Sequence, residues 1–164
     1  MSQRIQSIFL LCTAIVSGLM FFIPVATFPV NHFLCDFYTT KIIQTEPEIQ
    51  FIMWNWPSFI LNICITLLSL LTIFVRKKNT KSVKPTLFLQ FRLATVNIIL
   101  QLGLFILLWI LLANTTSEEI DFWNSIHYAH ISFVFPIVGT IFTWLAIRAI
   151  LKDIALLKSF DRIR

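Results

Sequence analysis

The chain has 164 residues, of which 57% are hydrophobic and only 13% charged, with seventeen Phe, five Trp and a net charge of +5. So little charge leaves too little polar surface to keep a domain of this length in water, which excludes an ordinary soluble protein. Residues 1–164 read instead as one membrane domain.

Four stretches, residues 5–35, 49–75, 93–117 and 122–147, contain no Lys, Arg, Asp or Glu. About 20 apolar residues at 1.5 Å rise each cross a hydrocarbon layer of roughly 30 Å, so four spans are expected. The first is placed at residues 5–28. No small-x-small cleavage site follows it, and Leu11 before Cys12 denies a lipoprotein signal, so the segment is expected to be retained. A loop over residues 29–50 follows. The second span is set at residues 53–75, with Pro57 tolerated in its first turn. A basic loop, residues 76–84, leads through Pro85 into the third span, residues 86–113. After a short acidic loop, the fourth span covers residues 125–147, with a bend expected at Pro136 where a backbone donor is missing.

The tail, residues 148–164, continues as an amphipathic helix, with Ile147, Ile150, Leu151, Ile154 and Leu157 on one stripe and Arg148, Lys152 and Arg162 opposite. It is expected to lie on anionic lipid or dock a partner helix, or simply to anchor the last span. The fold expected is therefore all-α, an integral membrane antiparallel four-helix bundle with a cytoplasmic amphipathic C-terminal helix.

Charge orients the spans. On one side fall Arg4, the 76–92 cations and those from Arg148 onward, twelve of the thirteen Lys and Arg; the other side keeps Lys41 and six of the eight acids. The positive-inside rule then puts both termini and the middle loop in the cytoplasm, the arrangement of a multi-pass membrane protein with an even number of spans. The basic surface suits anionic lipid and possible contact with a membrane-protein partner. It lacks the aromatic-interleaved pattern of a nucleic-acid site, and no nucleic acid is expected.

Within the spans, polar residues form stripes. Asn55, Ser58, Asn62, Thr66 and Ser69 lie within an arc of about 80°, and Thr86, Gln90, Asn97 and Gln101 within about 60°. Lipid cannot satisfy an amide, so a polar seam between spans two and three is expected, built from Asn62, Thr66, Ser69, Asn97 and Gln101, with Ser69 level with Asn97 and Asn62 level with Gln101. Small residues align elsewhere: Ser7, Ala14 and Gly18 on span one, and Ser132, Gly139, Thr143 and Ala146 on span four, where they let backbones approach closely.

What is missing narrows the chemistry. No ionisable residue stands at the midplane of a span, which argues against proton-coupled transport, and the three cysteines are too isolated for a thiol relay. His127 and His130, with His32 and Cys35, form an outer cluster in which imidazole and thiolate would suit a transition metal. Their spacing is loose, and interfacial histidines making hydrogen bonds are the expectation; no metal and no cofactor are called for. Without a nucleophile-and-base pair, an enzyme is not expected. The reading favoured is a structural or accessory protein presenting a basic cytoplasmic face. The alternative is a small carrier or pore for a neutral or amphiphilic molecule, using the polar seam.

The ends of the chain carry a resemblance. Gln3-Arg4-Ile5-Gln6-Ser7-Ile8 at the start, Leu89-Gln90-Phe91-Arg92-Leu93 with Asn97 in the centre, and Lys152-Asp153, Lys158-Ser159 and Asp161-Arg162-Ile163-Arg164 at the close resemble an uncharacterised bacterial four-span membrane family, a domain of unknown function. The resemblance covers essentially the full length. It implies a four-span inner-membrane protein with both ends inside, and it brings no activity, cofactor or partner. Arg4, Arg92, Asp153, Asp161 and Arg162 all fall at the cytoplasmic rim, where an Arg-to-Asp pair would clamp the tail under the bundle.

Overall fold

The computed structural model describes residues 2–30, 33–44, 50–78, 83–115 and 130–162. Helix α1 runs from Ser2 to Leu19, α2 from Trp56 to Lys78, α3 from Val83 to Thr115 and α4 from Phe135 to Arg162. Between α1 and α2 lies an antiparallel meander of four strands, β1 (Ala26–Val30), β2 (Phe33–Phe37), β3 (Lys41–Gln44) and β4 (Gln50–Trp54). The protein is thus mainly helical but not all-α, and the sheet corrects that expectation.

Each helix start follows from local chemistry. Pro57 and Pro85 stand in the first turns of α2 and α3, where a missing N–H costs nothing, and the Asn55 carbonyl accepts the first α2 bond, from the Phe59 amide. Pro136 plays the same part in α4: a short 3-10 helix, Ile131–Val134, leads into Phe135, so the proline opens the helix rather than bending it. Residues 116–129, including the expected first turns of span four, lie outside the described residues.

The first span is shorter than its apolar run. Helix α1 stops at Leu19 and a turn through Phe21 and Phe22 leads to Pro24, after which the chain is extended. Apolarity persists past Leu19, but its partner changes from lipid-length helix to sheet: Val25 donates its amide to the Phe37 carbonyl at 2.6 Å, and Ala26 pairs with Phe37. Residues 53–54, expected to begin span two, belong to β4 for the same reason. Pro29 is accommodated because β1 is an edge strand, and the extra residue Ile52 forms a bulge opposite the Ile42–Ile43 step.

Helix contacts run from α1 to α2, α2 to α3, α3 to α4 and α4 back to α1. The polarity of these helices is reversed relative to a water-soluble bundle. Their outer faces carry Ile8, Leu11 and Ile15 on α1, Leu67, Leu71 and Phe74 on α2, Ile99, Ile106 and Ile110 on α3, and Ile137, Ile141 and Trp144 on α4, all exposed. Their inner faces bury Gln6, Thr13, Ser17, Asn62, Ser69, Gln90, Asn97, Gln101 and Thr143. Among the described residues, three helices, over Trp56–Val75, Thr86–Ala113 and Ile131–Leu156, are long and apolar enough to cross a membrane, and α1 holds a shorter apolar segment, Ile5–Leu19.

An apolar core sits at the sheet end, where Met20, Val25, Phe37, Leu108, Leu112 and Phe133 pack together. Trp109 closes on Phe133 with ring centres 5.9 Å apart, and Phe105 on Phe133 at 5.2 Å, tilted geometries that aromatic quadrupoles favour. At the other end the tail does not form a separate element. Helix α4 continues to Arg162, with Ile150 and Asp153 buried against the bundle and Leu151 exposed.

Candidate functional site

The polar stripes on α2 and α3 meet side chain to side chain in a rung of Asn97 and Ser69. Asn97 Nδ2 donates to Ser69 Oγ at 2.9 Å, both fully buried. A second rung lies nearer the basic ends of these helices, where Gln90 Nε2 donates to the Thr72 carbonyl at 3.2 Å. The remaining polar groups turn elsewhere. Asn62 Nδ2 donates to the Ser17 carbonyl of α1 at 3.1 Å, and Thr66 Oγ1 lies 3.0 Å from Ser17 Oγ. Gln101 Nε2 reaches Thr143 Oγ1 of α4 at 3.3 Å, and Thr143 Oγ1 is 3.3 Å from Thr13 Oγ1 of α1. The polar interior therefore runs through all four helices rather than along a seam between two.

Asn62 and Gln101 do stand at one depth. Together with Thr13, Ser17, Pro136 and Gly139 they border a small cavity of about 10 Å³, the size of a single water site. Gly139 makes this level possible: a Cβ there would meet the Gln101 side chain at 3.3 Å. The hydroxyl protons in this region serve their own helices, since Thr13, Thr66, Ser69 and Thr143 each bond a carbonyl one turn back. Asn62 Oδ1, Asn97 Oδ1 and Gln101 Oε1 accept no bond. The interior is thus rich in acceptors and made of neutral amides and hydroxyls, groups that bind and position but transfer no proton at ordinary pH.

At the tail end, Gln6 Nε2 donates to Asp153 Oδ2 at 2.7 Å, joining α1 to α4 across 147 positions of sequence. Asp153 is the residue of the expected rim that the fold draws inward. Arg92 is exposed on α3, and the side chains of Arg4, Asp161 and Arg162 lie outside the described residues. At the start of the tail, the Arg148 guanidinium lies 4.7 Å over the ring of Trp144, one turn earlier in α4. Charge alone does not reveal Gln6, although its place two residues after Arg4 puts it on the same rim.

At the sheet end, Thr27 Oγ1 bridges Asp36 Oδ1 at 2.6 Å and His130 Nε2 at 2.7 Å. The single threonine proton goes to the carboxylate, so the imidazole donates from Nε2. The His130 amide also donates to the Val25 carbonyl at 2.8 Å, and Ser132 Oγ donates to the Pro24 carbonyl. With Thr39 Oγ1 donating to the Met20 carbonyl at 2.7 Å, these bonds tie the sheet to α1 and to the approach of α4. Of the expected outer cluster, His130 is held by threonine, Cys35 has its backbone in β2 opposite Phe28, and His32 and His127 lie outside the described residues. Among the described residues, no three of His, Cys, Asp and Glu gather around one point.

Among the described residues, three apolar helices of membrane-crossing length around a buried polar interior define a membrane-compatible helical protein. Over residues 2–163 the chain matches the family described as Domain of unknown function (DUF4293), and it belongs to that family. Comparisons with curated proteins and with solved structures return no match.

Proposed function

We propose that this chain is an integral protein of the bacterial inner membrane, an antiparallel four-helix bundle with both termini in the cytoplasm. Its role in this reading is structural or accessory: the bundle presents a basic cytoplasmic rim to anionic lipid and to another membrane protein. It has no enzymatic activity, cofactor or nucleic-acid partner.

The observation that carries the proposal is the reversed polarity of the helices. Placing Ile99 at 64% exposed and Ile8 at 56% exposed outside, with Asn62, Asn97 and Thr143 fully buried, is unfavourable in water and favourable in oil. Helix α1, though shorter in its apolar stretch, lies against α2 and α4 and offers the same outer face, which supports counting it as the fourth span. The accessory role draws support from the interior chemistry. Amides and hydroxyls that join helix to helix are packing devices, and the sequence places twelve of thirteen cations on the cytoplasmic side of the proposed topology.

A second reading, a carrier or pore for a small neutral or amphiphilic molecule, has one observation in its favour: Asn62 Oδ1 and Gln101 Oε1 take no bond and border a cavity. Substitution of Asn62 and Gln101 by Leu separates the two. An accessory bundle changes in stability without a selective change of solute flux in proteoliposomes, whereas a carrier loses flux while still folded. Reporter fusions at both ends and at residues 79–82 test the orientation, and an outward-facing terminus removes the proposed topology.

A further inference from the structure

The exposed face of α4 changes character along its length. Ile137, Ile141, Trp144, Arg148, Lys152 and Ala155 recur at three- or four-residue spacing and share one side of the helix, all of them exposed. The opposite side, with Gly139, Thr143, Ala146, Ile150 and Asp153, is buried in the bundle. The stripe reads apolar, then aromatic, then cationic, which is the order in which a bilayer leaflet presents acyl chain, interface and headgroup. From Ile131 to Arg148 is roughly 26 Å at helical rise, so the guanidinium stands where the hydrocarbon layer ends.

Among the described residues, neither Arg148 nor Lys152 pairs with a carboxylate. Arg148 rests over the Trp144 ring at 4.7 Å, a cation–π contact that holds the guanidinium beside the indole. Asp153, next in sequence to Lys152, is on the buried side and turned to Gln6.

We propose that Trp144, Arg148 and Lys152 form a binding site for the phosphate of an anionic phospholipid of the cytoplasmic leaflet. The guanidinium donates to the phosphate oxygens, Lys152 adds a second charge one turn deeper into the headgroup layer, and the acyl chain lies along Trp144 and Ile141. This rests on the membrane reading above and names the lipid contact within it. A planar fork held on an aromatic ring suits a phosphodiester better than a mobile ammonium does. Arg148→Lys therefore retains charge but loses part of the preference.

Native mass spectrometry of the protein released from nanodiscs of equal phosphatidylglycerol and phosphatidylcholine content tests the proposal. The wild type retains phosphatidylglycerol in preference, and Arg148→Gln lowers that preference by more than about five-fold, the effect that one diffuse cation at a membrane surface would have. Trp144→Leu, which keeps the surface apolar but removes the platform, lowers it as well. Arg92→Gln removes an exposed cation of the same rim from α3, outside the stripe, and measures the contribution of diffuse charge, which should be clearly smaller than the loss in Arg148→Gln. If Arg92→Gln lowers retention as much as Arg148→Gln, the cations act only as diffuse charge and the site is overturned; equal retention of the two lipids by the wild type overturns it too. Failure of the membrane reading looks different: folded protein then appears in the aqueous fraction without detergent, whatever the lipid result.

Discussion

Gln6 and Asp153 stand 147 positions apart and meet at 2.7 Å, the amide of the first helix donating to a carboxylate of the last, with only 2% and 7% of their surfaces exposed. This contact makes the tail part of the bundle. A hydrogen bond to a buried charged group is worth about 1.5–3 kcal/mol, so Gln6→Leu is expected to destabilise by that order. Thermal unfolding in mild detergent measures it. In a double-mutant cycle with Asp153→Leu the losses should be strongly non-additive, and additive losses would show that the two residues act independently.

The Asn97 to Ser69 rung joins α2 and α3 where no lipid or water reaches. Ser69→Ala removes the acceptor and leaves the Asn97 amide proton unbonded, at an expected cost of roughly 0.6–2 kcal/mol. Asn97→Leu with Ser69→Ala removes both partners, and should recover part of that loss if the volume fits, because an unmade buried bond costs more than an absent one. Unfolding midpoints for the two variants decide the order.

At Gly139, α4 faces the side chain of Gln101 on α3. A methyl group at this position presses on Gln101 at 3.3 Å and disturbs its bond to Thr143. Gly139→Ala should therefore destabilise by about 1 kcal/mol despite the better helix propensity of alanine. Gln101→Ala in the same chain relieves the contact, so the pair should unfold closer to the single Gln101→Ala variant than two independent losses would predict. Gly103, whose Cβ would meet nothing within 4 Å, is the control, and Gly103→Ala should be neutral or stabilising.

Thr27 links strand β1 to both Asp36 and His130. Thr27→Val keeps the shape and removes both bonds, so the sheet should open more readily from α4. Amide exchange is the measurement: protection of the strand amides, beginning with Val25, should fall while that of α2 and α3 stays unchanged. Equal loss of protection throughout would mean that the sheet and helices unfold as one unit.

The helices are legible in the sequence because their cause is local. Length of charge-free run and one proline near the start of each later helix suffice to set α2 and α3, whose solvent in the proposed reading is lipid along the whole outer face. The stripes of Asn62, Ser69, Asn97 and Gln101 are legible for the same reason, since periodicity alone says which residues share a side. Strands β1–β4 are not. Val25, Phe28, Ile42, Ile43 and Phe51 are as apolar as any membrane span, and composition does not distinguish an apolar strand paired to its neighbour from the end of an apolar helix.

By itself, then, the sequence determined that the polypeptide is helical over its long apolar runs, that its amides face inward, and which family it resembles. The tertiary structure alone decided the partners. It turned Asn62 to α1 and Gln101 to α4 instead of to each other, drew Asp153 to Gln6, and ended the first helix at Leu19 in favour of a sheet. The physical reason is that a side-chain amide specifies only that a bond must be made; which backbone or hydroxyl receives it depends on how closely the helices approach, and that distance is fixed by residues such as Gly139 acting from a different helix.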